Sequence, residues 1–561
     1  MDMNEQIVQG LLERLLADAK LAEPRYTSVV SALERNAIAA LLSKTHVKPL
    51  AEEIPLAPAV LTQSEIAPAV ELSPVPLNLE LASIRERADQ DYVVCVDFGT
   101  AKSKAFAARL SEHGEEPLGF ELGLGRLDRD MDGSQYSVAS SVWISDDGLM
   151  FAGSEALRRS AEANDRMRLD SIKQQLSQSN HQQSLTRYLD ESINPTKVKF
   201  SHGDALCFFL AYLTDLVGLE LEHEHGLSRY TRRRFTIPAW SDAQRQWAND
   251  ELKTVMKRAQ ILADTFRGKW ASGIPISQVK EAINLASIHD ASLNHLLDET
   301  WNKMQYGISE PMAAGAGRIR LDKSTRNLVL VVDVGAGTTD FGLFIVNFEM
   351  RTAIPVEPKS VAIKRAGNHV DDLLVELILS KVEGYPDKLT KERINNDLRR
   401  TGLRQKKERL FTQGTQQFPL VSGQIVSIAR SEFLASEGVV SFSMSIEAEL
   451  RAFLAKVHGS FEAAAEKPIM LLTGGGASLP FVAALPQQKW KIGNREVSFT
   501  AGKAVPDALL EYDNAFQQEY AQLAVAMGGA IQVVDEKKAL LEWGGGVGKP
   551  AALSRYAVTG N

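Results

Sequence analysis

The chain has 561 residues, a formal net charge of −8 and 44% hydrophobic residues. This length is too great for one hydrophobic core, so we expect two or more lobes. The acidic balance argues against a nucleic-acid partner, because binding to a phosphate backbone depends on clustered Lys and Arg side chains. Cys95 and Cys207 lack a CxxC spacing. This excludes a disulfide framework and a zinc site and favours a reducing, cytoplasmic location.

The first part of the sequence has neither a basic start nor an apolar run, so we predict no signal peptide. No stretch approaches the roughly 18 apolar residues of a membrane span, so we expect no membrane partner. Apolar residues at helical spacing predict a helical N-terminal extension over residues 1–48. Repeated prolines then predict an extended Pro-rich linker over residues 49–90, with a docked segment as the alternative.

Two segments of the following globular part resemble each other. Residues 92–104 (YVVCVDFGTAKSK) form an apolar strand that runs into a polar turn, and residues 327–346 form a strand, a Gly/Thr turn and a second strand. A third apolar strand, residues 469–472, ends in the glycines Gly474, Gly475 and Gly476. The duplicated hairpins predict duplicated lobes, residues 91–325 and residues 326–534.

Turns of this kind suit the phosphates of a nucleoside triphosphate. Glycine lets the backbone approach closely, and a hairpin turn points several amides into one concavity. Asp97, Asp333 and Asp340 would repel phosphate, but they can hold Mg2+ through its water shell or accept a proton from attacking water. Each turn alone is more typical of an ordinary hairpin or loop. The order of the three turns, each after an apolar strand, favours a nucleotide site.

The three turns resemble the phosphate-one, phosphate-two and adenosine motifs of the actin, sugar-kinase and heat-shock ATPase superfamily. Between them, several segments resemble DnaK-type heat-shock chaperones: SSVWI (140–144), FAGSEA (151–156), TIPAWSDAQRQ (236–246), ISEPMAA (308–314) and RAGNHVD (365–371). The resemblance covers about residues 91–534. It implies an α/β fold, built as a two-lobed actin-like ATPase clamshell with duplicated ribonuclease-H-like lobes after the N-terminal helical extension.

The resemblance also implies ATP and Mg2+ as ligands and hydrolysis of ATP to ADP and phosphate. The implied catalytic residues are Lys173, Glu310, Asp333 and Asp340, with Lys173 reaching the γ-phosphate. The implied holders of hydrated Mg2+ are Asp97, Asp333 and Asp340. The implied nucleotide contacts are Asp97, Gly99, Thr100, Ser103, Lys104, Gly335, Ala336, Gly337, Thr338, Thr339, Gly367, Lys407, Gly474, Gly475 and Gly476. A cation such as Lys173 is needed because a polyanionic ligand here faces several carboxylates.

Three residues depart from the chaperone pattern. Lys104 stands where actins carry a phosphate-binding lysine. Ala336 replaces the middle glycine of the second turn, a change that backbone donation should survive. Ser478 stands where the chaperones place an arginine against adenine, so we expect stacking to be lost and affinity to be weaker.

Two additions and one omission also separate the sequence from the chaperones. Only a short Gly-rich tail, residues 535–561, follows the predicted core, so we expect no peptide-binding domain. The additions are the N-terminal extension and a mostly helical insertion over residues 261–305, with helices expected over 279–288 and 293–304. We expect one of them to recruit a protein partner.

The resulting prediction is a slow, DnaK-like ATPase switch that acts on a protein partner, and a chaperone-related function is left open. The alternative is an actin-like filament or scaffold protein, which Lys104 favours. The sequence has no signature of a small-molecule kinase. A nucleotide sensor that does not hydrolyse ATP is a further alternative.

Overall fold

A computed structural model describes residues 77–531, apart from residues 90, 111–118, 129–133, 164–166, 179–180, 320–325, 348–351, 385–386, 463–466, 504 and 506–513. All the described residues belong to one compact unit of the chain. The predicted helical extension (1–48), the first part of the predicted linker (49–76) and the predicted tail (535–561) lie outside the described residues.

Nineteen strands are formed by the described residues. In chain order they are β1 (Tyr92–Asp97), β2 (Lys102–Arg109), β3 (Gly119–Glu121), β4 (Val138–Ala139), β5 (Ser141–Ile144), β6 (Leu149–Ala152), β7 (Leu169–Asp170), β8 (Arg232–Ile237), β9 (Ile274–Pro275), β10 (Ile308–Ser309), β11 (Arg326–Val334), β12 (Thr339–Asn347), β13 (Thr352–Ile363), β14 (Thr415–Pro419), β15 (Ile425–Ala429), β16 (Ile469–Thr473), β17 (Lys489–Ile492), β18 (Arg495–Ser498) and β19 (Thr500–Ala501).

The α-helices of the described residues are α1 (Ala82–Arg85), α2 (Leu124–Asp128), α3 (Gly153–Glu162), α4 (His181–Ser184), α5 (His202–Glu224), α6 (Asp242–Thr265), α7 (Ile276–Ala286), α8 (Glu299–Lys303), α9 (Glu310–Ile319), α10 (Gly367–Ser380), α11 (Lys388–Arg400), α12 (Leu403–Gln413), α13 (Arg430–Ala435), α14 (Glu437–Lys456), α15 (His458–Glu462), α16 (Pro480–Ala483) and α17 (Asn514–Ile531). Short 3-10 helices cover Ile172–Ser177, Trp270–Ser272, Ser287–Leu296 and Leu485–Gln487. None of these helices combines the length and the apolar sequence that crossing a bilayer would require.

Two larger sheets have the same strand order. The first runs β10–β8–β1–β2–β3, with β4 also beside β2. Read in the same direction, the second runs β19–β16–β11–β12–β13. In the first sheet β1 is antiparallel to β2 and parallel to β8. In the second, β11 is likewise antiparallel to β12 and parallel to β16. The combination of these sheets with many helices confirms the predicted α/β class.

The composition of the central strands, β1 and β11, explains why these segments are extended. Residues 93–97 of β1 and residues 328–334 of β11 are buried and rich in Val and Leu. Branched side chains favour the extended backbone, and continuous apolar runs are typical of strands covered on both faces. Both runs contain an aspartate at or next to their end, Asp97 and Asp333, shortly before the chain turns.

Two large hydrophobic cores cover the sheets, and the first also contains Val329, Val331 and Phe344 of the second sheet. The first core joins the first sheet to α5, α6 and the helices of the predicted insertion, while the second joins β11 and β12 to α10, α12 and α14. Helix α5 is buried along most of its length and begins at a capping box between Ser201 and Asp204. We call residues 92–319 the first-sheet half and residues 326–501 the second-sheet half.

The predicted insertion is helical, as expected. Helix α7 and the following 3-10 helix cover the first predicted helix, while the second is divided between the end of that 3-10 helix and α8. Its side chains Leu293, Leu296 and Trp301 are buried in the first core. The insertion is therefore a packed part of the first-sheet half.

The last residues of the predicted linker lie against this insertion. The Glu80 amide donates to Thr265 Oγ1 (3.0 Å), and a ring nitrogen of His295 lies 3.0 Å from the Ser83 carbonyl oxygen. Leu77, Leu79 and Ile84 pack against the first core. The part of the predicted linker that the structure describes therefore packs against the first-sheet half.

Helix α17 links both sheets. Its residues belong to the predicted second lobe, and its buried side chains Phe516, Tyr520 and Met527 share a small core with Cys95 and Phe106 of the first sheet. Its Ala521 carbonyl accepts a hydrogen bond from the Gly474 amide, after β16 of the second sheet (2.8 Å). The helix therefore contacts elements of both sheets.

Candidate functional site

The three predicted turns line one cavity of about 380 Å³. It lies where β1, β11 and β16 end. The predicted site residues in its wall are Asp97, Gly99, Thr100, Lys104, Lys173, Glu310, Asp333, Gly335, Ala336, Gly337, Thr338, Gly367, Lys407, Gly474, Gly475 and Gly476. Residues that are far apart in the sequence are thus brought into one site.

The first and second turns touch each other. A Cβ atom placed on Gly337 would lie only 2.7 Å from Thr100 Oγ1, which is closer than real Cβ contacts. Glycine at this position therefore allows the two hairpin turns to face each other at contact distance.

The third turn is fixed against the second. The Gly476 amide donates to the Val334 carbonyl oxygen (2.8 Å). Gly474 has φ +81°, and a Cβ atom there would lie 2.4 Å from Asp333 Oδ1. Both the backbone conformation and the space require glycine at residue 474. Gly475 is different, because a Cβ atom there would meet no other atom within 4 Å.

Helix α10 supports the second turn from its other side. The amides of Gly367 and Asn368 donate to the carbonyl oxygens of Gly335 (3.0 Å) and Ala336 (2.8 Å). These amides belong to the first turn of the helix, where no intrahelical acceptor exists. The second hairpin turn therefore serves as the acceptor for the start of α10, which fixes its position.

Four carboxylates and four ammonium groups line the cavity, with Asp340 behind its wall: Asp97, Glu310, Asp333, Glu408, Lys102, Lys104, Lys173 and Lys407. Lys104 Nζ pairs with Asp97 Oδ2 at 3.0 Å, and Lys173 pairs with Glu310. In the described part of the chain, Asp333 and Asp340 of the second hairpin form no ion pair with a lysine. Asp340 Oδ1 instead accepts a hydrogen bond from the Ala239 amide (2.8 Å).

Burial and crowding of like charges alter the protonation of these groups. Burial raises the pKa of Asp333 well above its usual range, and the nearby Glu310 and Asp340 carboxylates add to the rise. Burial also raises the pKa of Asp340 to about 7, again with help from Glu310. Burial alone would lower the pKa of Lys173, but Glu310 and Asp97 outweigh it and raise that pKa. Lys173 is therefore a buried cation beside carboxylates that are hard to ionise.

The donor set fits a hydrated divalent cation. Carboxylate oxygens are the ligands that Mg2+ prefers, and Asp340 Oδ2 is buried without a hydrogen-bond partner. In the described part of the chain, however, no three His, Cys, Asp or Glu side chains are grouped closely enough to hold a metal ion. The described carboxylates therefore do not form a complete metal site by themselves.

One wall of the cavity was largely missed by the sequence analysis. Helix α12 lines it with Arg404, Lys407, Glu408, Phe411 and Thr412, and of these only Lys407 was predicted. Their i, i+3, i+4, i+7 spacing puts them on one helix face, which was the available signal. Other residues of the wall that were not predicted to bind are Ala101, Lys102, Pro238, Val370, Ser478, Leu479, Gln522 and Val525.

Three predicted site residues do not form part of the wall. Ser103 is buried, with its hydroxyl 2.9 Å from that of Ser140, and the Thr339 hydroxyl donates to the Arg365 carbonyl oxygen at 2.7 Å. The side chains of these two residues are thus engaged in the structure around the turns. Asp340 lies behind the wall, where it holds the Ala239 amide.

A second, larger cavity of about 1150 Å³ adjoins the first. We call it the groove; it lies between the region of β5, β7 and α3 on one side and α10, α11 and α12 on the other. Ala101, Lys102 and Arg404 line both cavities. Arg400 bridges the groove, because its Nη1 donates to the carbonyl oxygens of Ala161 (2.7 Å) and Ala163 (2.9 Å).

Comparison of the sequence with protein-family models and with curated proteins found no match.

Proposed function

We propose that the chain is an ATP-binding protein that slowly hydrolyses ATP, with Mg2+ as cofactor, and that it acts as a DnaK-like switch on a protein partner. The observation that carries the proposal is the contact between the two hairpin turns at Gly337 and Thr100, beside a cavity that all three turns line. The shared strand order of the two sheets supports a duplicated, two-lobed actin-like architecture.

The wall of the cavity offers what each part of ATP needs. Glycine-rich turns can approach phosphates closely with their amides. Phe411, Val370 and Leu479 give other parts of the wall an apolar surface, against which a base can lie. Ser478 is also in the wall, where the chaperones place an arginine. The apolar contacts partly offset the stacking on the base that an arginine would provide.

The charged residues have roles that follow from their surroundings. Lys173 holds its proton in the buried site and can neutralise a terminal phosphate when Glu310 releases it. When bound, Mg2+ supplies positive charge to the phosphates and lowers the cost of ionising the nearby carboxylates. In ionised form, Asp333 can orient an attacking water molecule and accept its proton, while Asp340 acts from behind the wall by accepting the Ala239 amide.

The test is ATP binding and steady-state phosphate release by the wild type, Lys173→Ala and Asp333→Ala. We expect each substitution to lower phosphate release by about 100-fold, the magnitude typical for loss of a preorganised charge at a reacting group. Matched controls are Lys456→Ala and Glu449→Ala, which change exposed charges on α14. Wild-type turnover in both cavity variants would contradict the assignment, and absence of ATP binding by the wild type would contradict the function.

The filament alternative draws on Lys104, which lies in the cavity wall as the actin-like lysine would. Its ammonium group is paired with Asp97, however, so it has a structural role that needs no filament. Light scattering with and without ATP separates the alternatives, because only a filament gives a nucleotide-dependent rise.

A further inference from the structure

Asn368 contacts three parts of the site at once. Its side-chain Nδ2 donates to Ser171 Oγ (3.2 Å) in the first-sheet half. Its Oδ1 accepts from Arg404 Nη2 (3.0 Å) on α12. Its backbone amide donates to the Ala336 carbonyl oxygen in the second hairpin turn (2.8 Å). One residue therefore joins the first-sheet half, the second turn and the α12 wall.

The direction of these hydrogen bonds is fixed by chemistry. A guanidinium group only donates, so the oxygen of the Asn368 amide must face Arg404. The amide nitrogen then faces Ser171, whose hydroxyl oxygen accepts. Both groups of the carboxamide are thus used, one toward each half.

Ser171 has an unusual position. Among the described residues, Ser171 is the single non-glycine residue with a positive φ, which is 60°. Such a conformation costs about 1 kcal/mol or more and persists only when surrounding contacts hold it. Ser171 precedes the 3-10 helix Ile172–Ser177, which carries Lys173 into the cavity. A contact that holds Ser171 therefore also sets the start of the segment that positions Lys173.

The Ser171–Asn368 hydrogen bond also lies where the two cavities meet. Both residues line the groove, while their neighbours Lys173 and Gly367 line the smaller cavity. If the two sides of the groove move apart, this bond must break, and the segment that carries Lys173 loses its support from α10.

We propose that Asn368 is a positioning residue that makes hydrolysis depend on closure of the groove. When the groove is closed, Asn368 holds Ser171 and thereby places Lys173 for the terminal phosphate. When it opens, nucleotide can still contact α12 and the glycine turns, but Lys173 is no longer held in place. This inference rests on the proposed ATPase function.

The first experiment compares Ser171→Ala, Asn368→Ala and the double variant. Ser171→Ala removes only the acceptor across the groove, so we expect kcat to fall about fivefold, the effect of one hydrogen bond, with little change in the Kd for ATP. Asn368→Ala also frees Arg404, so it should lower kcat and raise the Kd. In the Asn368→Ala background, Ser171→Ala should have no further effect on kcat.

Two further variants separate positioning from a general loss of stability. Asn368→Asp should restore much of kcat, because a carboxylate accepts from Arg404 and the Ser171 hydroxyl can rotate to donate to it. The matched control is Asn395→Asp on α11, where Asn395 also accepts from an arginine, Arg399 (2.9 Å), away from the smaller cavity. It should leave kcat and Kd unchanged.

A second measurement tests the bond without any turnover. Spin labels at Glu162→Cys and Arg393→Cys, on exposed sites of α3 and α11, report the width of the groove, while native Cys95 and Cys207 are buried. Ser171→Ala and Asn368→Ala should each shift the label distances to longer values, and the double variant no further.

The outcomes distinguish the two proposals. A wild type that neither binds nor hydrolyses ATP overturns the proposed function, while the label distances still decide whether the bond closes the groove. Additive effects of Ser171→Ala and Asn368→Ala, or unchanged kcat and distances in both, overturn the role of Asn368 even when the wild type is an active ATPase.

Discussion

Asp97 pairs with Lys104 across the first hairpin, whereas the same register in the second hairpin places Asp333 opposite Asp340. The two hairpins therefore have the same geometry but different charge. The first is internally neutralised at this position, and the second brings two buried carboxylates together. A cation that enters the cavity near the second hairpin would therefore favour ionisation of these two carboxyls.

The Asp97–Lys104 pair makes a first prediction. Lys104→Met leaves the Asp97 carboxylate buried without its cation, so we expect a loss of about 3 kcal/mol in the free energy of unfolding. Urea denaturation measures it. The control is Lys489→Met, which breaks an ion pair of 2.7 Å whose side chains are 69% and 62% exposed. That change should cost less than about 1 kcal/mol, and an equal loss in both variants would contradict the burial argument.

The raised pKa of Asp340 makes a second prediction. A carboxyl whose folded pKa is near 7 binds its proton more tightly in the folded than in the unfolded chain, so its contribution to stability is present below about pH 4 and is lost as pH rises towards 7. Asp340→Asn should therefore melt at a higher temperature than the wild type at pH 8 without nucleotide. Near pH 4 this advantage should disappear.

Thermal melting of both proteins across this pH range, without Mg2+ or nucleotide, is the measurement. The carboxamide can still accept from the Ala239 amide, so the exchange keeps the hydrogen bond that the structure shows. A difference in melting temperature that does not depend on pH would contradict the expected titration of Asp340.

The open space at Gly475 makes a third prediction. Gly475→Ala adds a methyl group that meets no protein atom within 4 Å, so the stability of the protein without ligand should not change. The methyl group would occupy the surface on which a nucleoside is expected to lie, so we expect weaker ATP binding. Gly459→Ala, another site without atoms within 4 Å, is the control and should bind as the wild type does. Titration with ATP gives the Kd; equal values would place the nucleoside elsewhere.

The Arg400 bridge makes a fourth prediction. Arg400→Ala removes the hydrogen bonds to the carbonyl oxygens of Ala161 and Ala163, so the groove should open more often and bound nucleotide should leave faster. Loss of two hydrogen bonds to a charged group corresponds to an increase of about tenfold or more. Stopped-flow release of a fluorescent ATP analogue measures the rate. Arg393→Ala, which changes an exposed arginine of the same helix, is the control.

The strands and turns could be predicted from the sequence because their signals are local. Continuous Val and Leu runs before Asp97 and Asp333 identify central strands, and the glycines that follow identify turns that need close approach. The helical insertion followed from the same local patterns, whereas the α/β class was implied by the resemblance. The two-lobed actin-like form depends on the resemblance and stays part of the proposal.

Other features depend on contacts that no local pattern contains. The pairing of Lys104 with Asp97 depends on the register of β1 and β2, which the sequence alone does not show. The face of α12 is directed at the cavity only through the packing of the second core, so Arg404 and Phe411 could not be assigned in advance. Asn368 was overlooked because its partners, Ser171 and Arg404, are distant in sequence.

The position of α17 bears on the order in which the chain can fold during synthesis. This helix supplies Gln522 and Val525 to the cavity wall and receives the Gly474 amide, although it follows both sheets in the sequence. A ribosome-bound chain that already contains both hairpins therefore still lacks part of the wall. In nascent chains that end before α17, Cys95 lacks the helix that buries it. The Cys95 thiol would therefore become reactive only in unfinished or partly unfolded molecules.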